Sequence, residues 1–406
     1  MLKKIVHRFL RHRHFWRDAD FDELSEVYVV MMFRSLSLSL TGIFIPLYML
    51  ELGYPALDII MIEFWYFFAR FSCFDVFSGY LVSRIGPKHT ILYGNFLLIL
   101  STTGFMTLPY IHWPIWLLGA AYGGSSSMFW VPFHTDFSKI NHKEHGGKEL
   151  GYINIMSKIG GILGPLVGGI VATLFGGQYI FLVAMILLIV SGMPLLKTAE
   201  PMPTHRKLNL LDINLKKMKS DILSYTMYGI DGTATGVLWP IWLGVFVLAG
   251  SAAYAKLGVL ASISVLASMA AAFTIGQSID KHKGRFLLRA GATANAVLHL
   301  FRPFITTYPG ALLVNTANEG VTVTYQMPYT KGMYDTGDAL GGKRAAYFTT
   351  MEMLMSGSRL AFWGLLAVLT FTLETKTVLT VGFIIAATAS LLIMKEKFKA
   401  LNKTVS

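Results

Sequence analysis

Apolar stretches recur along the whole chain and are separated by short polar or glycine-containing segments. Each stretch has roughly 20 residues, which as a helix is long enough to cross a hydrocarbon core of about 30 Å. The pattern therefore predicts an all-α polytopic membrane protein. Twelve spans are predicted, at residues 25–48, 56–82, 90–109, 113–134, 150–173, 178–196, 222–249, 254–278, 286–304, 308–331, 344–370 and 376–394.

Composition agrees with this pattern. Of 406 residues, 54% are hydrophobic and only 14% are charged, which excludes an ordinary water-soluble surface. The net charge of +12 would suit nucleic acid, but most of the 35 Lys and Arg residues lie on one set of loops and at both termini. The positive-inside rule then predicts cytoplasmic termini, a multi-pass protein of the plasma (inner) membrane, and no nucleic-acid partner. The basic N-terminus is expected to lie along membrane lipid.

The chain carries an internal repeat of half its length. GYLVSRIGPK and GQSIDKHKGR begin 197 positions apart, at Gly79 and Gly276, and TGIFIP and TGVLWP begin 194 positions apart, at Thr41 and Thr235. A repeat at a fixed offset indicates a duplicated architecture. It predicts two pseudo-symmetric six-helix bundles at 25–196 and 222–394, a cytoplasmic N-terminal segment at 1–24, a cytoplasmic linker at 197–221 and a tail at 395–406.

The duplicated glycine-basic turn resembles the pattern G-x-L-x-D-R-x-G-R-R that the major facilitator superfamily carries after its second span. The second copy retains the acid, whereas Ser83 replaces it in the first. The resemblance covers essentially the whole chain and implies a transporter that works by alternating access. We also predict a monomer that uses no cofactor and is coupled to a proton or another ion. It also implies that the turns latch the cytoplasmic side, with Asp75 compensating for Ser83; the alternative is that the basic residues only anchor topology. The residues of the two turns are Gly79, Ser83, Arg84, Gly86 and Lys88, and Gly276, Asp280, Lys281, Gly284 and Arg285.

Two spans carry an acid and an arginine seven positions apart, a spacing that returns to nearly the same helix face. Glu63 and Arg70 lie in span 2, and Glu352 and Arg359 in span 11. The resemblance implies that these spans face each other in opposite directions, so we predict pairs Glu63–Arg359 and Arg70–Glu352 across the two halves. Fixed pairing within each half is the alternative. Lys158 falls beside Glu352 at the repeat offset.

Span 5 contains G-x-x-x-G-P-x-x-G-G, formed by Gly160, Gly164, Pro165, Gly168 and Gly169. Small residues at every fourth position allow helices to approach closely, and proline favours a bend. The spacing is similar to that of drug:proton antiporters of the superfamily and favours export. Close helix packing, which importers also use, is the alternative.

The resemblance implies that spans 1, 4, 7 and 10 line a central cavity. A buried acid there can carry a coupling proton, and Asp231 and Glu319 are the candidates. Span 4 has no arginine and span 1 offers Arg34 in place of an acid, which puts proton coupling in question. Aromatic side chains suggest an amphipathic or ring-bearing substrate, although such side chains also fill gaps between helices. The predicted cavity residues are Arg34, Tyr122, Phe129, Trp130, Asp231, Trp239, Asn315, Glu319, Tyr325, Gln326 and Tyr329.

These observations favour a secondary active transporter that exports a small molecule. Uptake of a nutrient by the same fold and a non-transporting membrane sensor are the alternatives. The chain lacks a G-x-x-x-x-G-K-[ST] nucleotide loop and any spacing typical of a metal site. An enzyme is therefore not predicted.

Overall fold

A computed structural model describes residues 23–140, 146–196, 207–213, 215–248, 252–278 and 284–398. This part of the chain is helical throughout, and its long helices form the twelve predicted spans. They are α1 (Glu23–Thr41, continued by Ile45–Glu51), α2 (Ala56–Ala69, Arg70–Phe74 and Asp75–Ile85), α3 (Pro87–Met106), α4 (Ile115–Ile140), α5 (Gly146–Phe175), α6 (Gln178–Gly192), α7 (Lys219–Thr233, Ala234–Leu238 and Trp239–Phe246), α8 (Ala253–Ser278), α9 (Gly284–Phe301), α10 (Tyr308–Ala339), α11 (Arg344–Leu369) and α12 (Thr375–Ile393).

Five described segments are apolar enough over their length to span a membrane by composition alone. A shorter apolar segment, Ala253–Leu266, lies in α8. Large apolar side chains cover the outside of the bundle, as Phe96 and Leu174 show. The five segments are Val29–Glu51, Met156–Phe175, Gln178–Leu196, Arg344–Leu369 and Thr375–Ile393.

Helix packing repeats itself between the halves. In the first half α1 packs on α5 and α6, α3 packs on α4 and α6, and α2 packs on α4. Each of these contacts recurs six helices later: α7 packs on α11 and α12, α9 on α10 and α12, and α8 on α10. The halves meet mainly where α5 packs on α8 and α2 on α11. The predicted fold of two pseudo-symmetric six-helix bundles is confirmed.

The repeated T-G-x-x-x-P motif marks an interruption in equivalent helices. In α1 a turn at Gly42–Phe44 precedes a second helix that begins at Ile45, and in α7 a π-helical turn at Ala234–Leu238 precedes Trp239. Pro46 and Pro240 each lie in the first turn of the helix that follows. Proline is tolerated there because the first amides of a helix lack an intrahelical partner. A further π-helical turn, Arg70–Phe74, interrupts α2.

The glycine motif of α5 contacts two helices. A Cβ at Gly160 would lie 2.6 Å from the backbone nitrogen of Leu36, and one at Gly164 would lie 2.6 Å from the Cβ of Ser39, so this face touches α1. On the other face, a Cβ at Gly258 of α8 would lie 2.4 Å from the carbonyl oxygen of Pro165. The motif therefore allows α5 to contact both its own half and the opposite half. Gly168 packs against Phe44 of α1 in the same way, and Gly169 against Tyr254 of α8.

Because the number of spans is even, α1 begins and α12 ends on the same side of the bundle, which we call the terminal face; the opposite side is the far face. Buried apolar residues form one layer toward each face. In α1, Met31 belongs to the terminal layer and Leu40 to the far layer, and the buried Arg34 lies between them. Arg34 is thus a buried charged group between the two apolar layers.

Several predicted features lie outside the described residues. These are most of the N-terminal segment 1–24, linker residues 197–206, Asp280 and Lys281 of the second glycine-basic turn, and tail residues 399–406. Gly276 lies within α8.

Candidate substrate cavity and gate

A cavity of about 230 Å³ lies between the two halves. It is lined by α1, α2 and α4 from the first half and by α7 and α11 from the second, and it lies toward the far face. Its walls are mostly apolar and aromatic, with one carboxylate and one guanidinium. The lining residues are Gly42, Ile45, Pro46, Ile59, Ile62, Glu63, Tyr66, Phe67, Tyr122, Gly232, Thr233, Gly236, Val237 and Arg359.

Both copies of the T-G-x-x-x-P motif contribute to this cavity. Gly42 and Pro46 line it from α1, and Gly236 lines it from the π-helical turn of α7. A Cβ at Gly236 would meet no atom within 4 Å and would therefore enter open space. π-Helical turns are frequent at functional sites because they change the direction of nearby side chains.

Glu63 and Arg359 reach the cavity from opposite halves. Glu63 is only 9% exposed and has no ion pair or hydrogen bond among the described residues. The Arg359 Nε donates a hydrogen bond to the Gly229 carbonyl oxygen at 2.9 Å, and its guanidinium lies 5.4 Å from the Phe67 ring centroid. The predicted direct pair Glu63–Arg359 is not formed. The Arg359 Nε is bonded within its own half, and both side chains line the cavity.

The other predicted pair is formed. The Arg70 Nη2 lies 2.5 Å from Glu352 Oε2 and 3.5 Å from Asp75 Oδ1. Arg70 also donates to Ser126 Oγ at 3.3 Å, and Ser127 Oγ donates to Asp75 at 2.6 Å. A carboxylate of the second half therefore inserts into a polar cluster of the first half, on the terminal side of the cavity. Asp75 serves this cluster rather than the turn at Ser83.

His134 of α4 completes the cluster, and the sequence reasoning did not identify it. Its Nε2 lies 3.3 Å from Glu352 Oε1, and its Nδ1 lies 2.6 Å from the Tyr334 hydroxyl, so it bridges α11 and α10 of the opposite half. Its ring stacks between Trp130 and Phe348 at centroid distances of 5.3 and 5.8 Å. Its position one helical turn after Trp130, within an apolar run, was the available signal.

Close backbone approach continues the contact toward the terminal face. A Cβ at Gly79 would lie 2.1 Å from Thr349 Oγ1 of α11, so a larger residue at this position of the first glycine-basic turn would require the Thr349 side chain to move. Gly86 has φ +93°, which favours glycine. Arg84 is exposed and lies over the Tyr80 ring at 5.5 Å, whereas Ser83 and Lys88 are buried. In the second turn, Gly284 is buried, and Arg285 pairs with Glu396 at 3.1 Å.

Asp231 and Arg34 lie inside their own halves, in duplicated buried sites. Arg34 of α1 donates to Asn95 of α3 and stacks on Phe129 of α4 at 3.9 Å. Asp231 of α7 accepts from Asn295 of α9 at 2.6 Å and from the Tyr325 hydroxyl of α10. Equivalent positions, 196 to 200 residues apart, thus hold opposite charges in the two halves.

The second site is more extensive. His299 Nε2 lies 3.0 Å from Asp231, and His299 Nδ1 lies 2.8 Å from Arg302, which also donates to Asn318 at 2.7 Å. Asp231, His299 and Arg302 are fully buried. Asp231 was expected to line the cavity, but three hydrogen-bond donors of its own half enclose it.

Most other predicted cavity residues also pack elsewhere. Lys158 of α5 pairs with Glu319 of α10 at 2.7 Å, which links the halves rather than placing Lys158 beside Glu352. Trp239 donates to Asn315 at 3.1 Å, and Tyr329 stacks on Tyr228 at 4.3 Å. Gln326 is half-buried in α10. Of the eleven residues predicted to line the cavity, all within the described ranges, Tyr122 alone does so.

Among the described residues, no group of three or more His, Cys, Asp or Glu side chains is arranged to hold a metal ion. The ionisable groups instead form pairs between helices. This arrangement can bind a small molecule between the halves and can change the contacts between them.

Comparisons with known proteins agree with the geometry. The sequence profile of the Major Facilitator Superfamily matches residues 27–255. No curated protein matches the chain by sequence. Solved structures are similar over nearly the whole chain, at an identity that shows the fold alone.

Two of the similar structures are named as transporters, and a third is of PepTSo2. The Escherichia coli fucose:proton symporter FucP superposes with a TM-score of 0.64 at 12% identity and covers 91% of this chain and 96% of its own. The human organic anion transporter MFSD10 gives a TM-score of 0.66 at 12% identity, covering 91% and 98%. Tetrameric PepTSo2 gives 0.63 at 12% identity, covering 92% and 96%. With a profile match over more than half of its length, this chain belongs to the Major Facilitator Superfamily.

Proposed function

We propose that this protein is a secondary transporter that exports a small amphipathic molecule by alternating access, from the side of its termini to the far side. The central cavity holds the substrate, and the cluster of Arg70, Glu352 and His134 is the gate on the terminal side. By the distribution of basic residues, the terminal face is cytoplasmic and the membrane is the plasma (inner) membrane.

The single observation that carries the proposal is the position of the cavity relative to the gate. The cavity is lined by both halves, and three contacts on its terminal side join one half to the other: Arg70 to Glu352, His134 to Tyr334, and Gly79 to Thr349. A rotation of one half against the other breaks these contacts while the cavity walls stay with their halves. Such a site between repeats is the arrangement that alternating access requires.

A second set of contacts between the halves lies on the far side of the cavity and forms the gate on that side. The Tyr254 hydroxyl of α8 donates to Glu51 of α1 at 2.5 Å, and a Cβ at Gly244 of α7 would lie 3.1 Å from Leu50. Both contacts join the halves. A transporter that alternates must exchange these contacts for those at Arg70 and Glu352, so the two sets are the elements expected to change in opposite directions.

The direction and the driving ion rest on the sequence. The G-x-x-x-G-P-x-x-G-G motif of α5 is similar to that of proton-coupled exporters, and it supports export. Asp231, in contact with His299, is the buried acid that we propose to exchange a coupling proton. Because it lies in a site separate from the cavity, protonation there would act through the position of α7 rather than by direct competition with substrate.

The proposal is tested with protein reconstituted in liposomes of known orientation. A panel of small cations, anions, zwitterions and neutral solutes is offered with and without an imposed pH gradient, and uptake is compared with protein-free liposomes. Spin labels at His89 of α3 and Arg289 of α9, exposed positions near the terminal face in equivalent helices, report the distance between the halves. We expect accumulation of a member of the panel and two distance populations. A single fixed distance with no accumulation of any member would refute transport, and accumulation in the inward sense only would replace export by uptake.

A further inference from the structure

Two charged side chains that line the cavity, Glu63 and Arg359, have polar atoms without hydrogen-bond partners among the described residues. Glu63 is more than nine-tenths buried, lines the cavity, and has no hydrogen bond or ion pair among the described residues. Arg359 uses its Nε on the Gly229 carbonyl oxygen and lines the same cavity from the other half. A buried charge without a partner is costly, so such groups in membrane proteins typically mark a ligand site.

The two oppositely charged pairs on α2 and α11 differ in their contacts. Arg70 and Glu352, on the same two helices, come within 2.5 Å of each other, whereas Glu63 and Arg359 make no direct ion pair. Glu63 and Arg359 line the same cavity from opposite halves. A ligand that carries only a cation would leave the guanidinium without a partner, and one that carries only an anion would leave the carboxylate without one.

We propose that the cavity binds a small zwitterion, with its cationic group on Glu63 and its anionic group on Arg359. This inference rests on the proposed function and names the substrate class of the same cavity. The ligand carries both charges on one small skeleton, as an α-amino acid does. Binding then gives both side chains a partner of opposite charge. Because Glu63 lies on α2 of the first half and Arg359 on α11 of the second, the bound ligand links the two halves.

The remaining walls limit the body of the ligand. The volume of about 230 Å³ lies below the roughly 300–1,000 Å³ of drug-sized sites, so a molecule of amino-acid size is favoured over a large drug. Tyr66 and Tyr122 contact each other edge to face, with centroids 5.1 Å apart, and both line the cavity. Their rings, with Phe67, provide an apolar and aromatic surface for a side chain. The substrate is therefore amphipathic, in agreement with the aromatic content noted in the sequence.

Four matched probes test this assignment: phenylalanine as zwitterion, 2-phenylethylamine as cation, 3-phenylpropanoate as anion and 3-phenylpropanamide as neutral control. Binding to the purified protein is measured by ligand-dependent thermal stabilisation, which does not depend on transport. We expect phenylalanine to bind best, because loss of either charge-assisted hydrogen bond weakens binding about 10- to 100-fold. If no probe stabilises the protein, or if the cation or the anion binds as well as phenylalanine, the zwitterion assignment is wrong.

Variants connect each probe to its side chain. Glu63→Gln should lower the affinity for phenylalanine toward that of the anion and leave binding of 3-phenylpropanoate nearly unchanged, and Arg359→Gln should do the converse. Glu374→Gln and Arg289→Gln, both at exposed positions outside the cavity, are the matched controls. Equal weakening of all probes in a cavity variant that unfolds at the same temperature as the unaltered protein would overturn the assignment, because the removed charge would then not distinguish the probes.

The experiments distinguish a failure of the zwitterion site from a failure of the proposed transport. Binding of phenylalanine that depends on Glu63 and Arg359, without accumulation in liposomes, would support the zwitterion site and contradict transport. Accumulation of a cation or a neutral solute from the panel, unaffected by Glu63→Gln, would support transport and contradict the zwitterion site.

Discussion

The charge of Glu352 is expected to stabilise the closed gate formed by Arg70, Glu352 and His134. Glu352→Gln keeps the shape of the side chain and removes its charge. Glu352 contacts Arg70 at 2.5 Å and His134 at 3.3 Å, both in the opposite half. A hydrogen bond to a charged group contributes about 1.5–3 kcal/mol and a neutral one about 0.5–1.5 kcal/mol, so the substitution removes about 1–2 kcal/mol from the gate contact.

This loss of free energy destabilises only the conformation in which the terminal face is closed. The contact exists when the terminal face is closed. Arg70 also lies 3.5 Å from Asp75 of its own half, a contact that opening does not need to break. A change of about 1–2 kcal/mol therefore shifts the ratio of open to closed molecules about 5- to 30-fold toward the open terminal face.

The shift is measured by double electron–electron resonance between spin labels at positions 89 and 289, in a background where the exposed Cys73 is replaced by serine. We expect the longer-distance population to grow in Glu352→Gln. The matched control is Asp338→Asn, which removes a carboxylate that pairs with Arg344 within the second half and should leave the distances unchanged. Unchanged distances in Glu352→Gln, or an equal change in both variants, would refute the assignment of Glu352 to the gate.

Three further substitutions test neighbouring contacts. Gly79→Ala places a methyl group 2.1 Å from Thr349 Oγ1 and should favour the open terminal face in the same resonance assay; adding Thr349→Ala should restore closure. Gly258→Ala directs a methyl group at the Pro165 carbonyl oxygen and, as an overpacked contact, should cost about 1–3 kcal/mol in the free energy of unfolding, measured by denaturant titration in detergent. Asp231→Asn removes the acceptor of a fully buried network and should cost about 3 kcal/mol or more in the same titration.

Each of these has a control within the chain. Gly236→Ala enters open space in the cavity, so it should leave the distances unchanged and should not lower the unfolding free energy. Glu319→Gln removes a carboxylate whose ion pair with Lys158 is about one quarter exposed, and it should cost about 1 kcal/mol or less. A destabilisation by Glu319→Gln equal to that of Asp231→Asn would contradict the distinction between the two sites, and tolerance of Gly258→Ala would show that α5 and α8 can separate without cost.

Much of the fold was predictable from the pattern of the chain. Long apolar stretches require helices in lipid, because each backbone polar group must be satisfied within its own segment. The repeat then predicted the duplicated packing, and it placed T-G-x-x-x-P at equivalent interruptions of α1 and α7. Glu63 and Arg70 are seven positions apart, as are Glu352 and Arg359. This spacing predicted the ion pair between Arg70 and Glu352 that the structure forms.

The cavity was predicted less well, because burial in a membrane protein does not distinguish a ligand wall from a helix interface. Asp231 and Arg34 have the polarity of cavity residues, yet each faces an asparagine of its own half. Glu63 and Arg359 were predicted as a direct pair, but a helical spacing does not specify how far apart two facing helices lie. His134 was not recognised, since its partners Glu352 and Tyr334 are about 200 positions away.

By itself the sequence determined that the chain spans a membrane twelve times, is built as two similar halves, and carries complementary charges on α2 and α11. Those properties follow from local rules: hydrophobic length, helical periodicity and repetition. The tertiary structure decided which charges touch, since contact depends on the tilt and separation of helices from different halves. Arg70 and Glu352 form an ion pair between the halves, whereas Glu63 and Arg359 line one cavity without forming an ion pair.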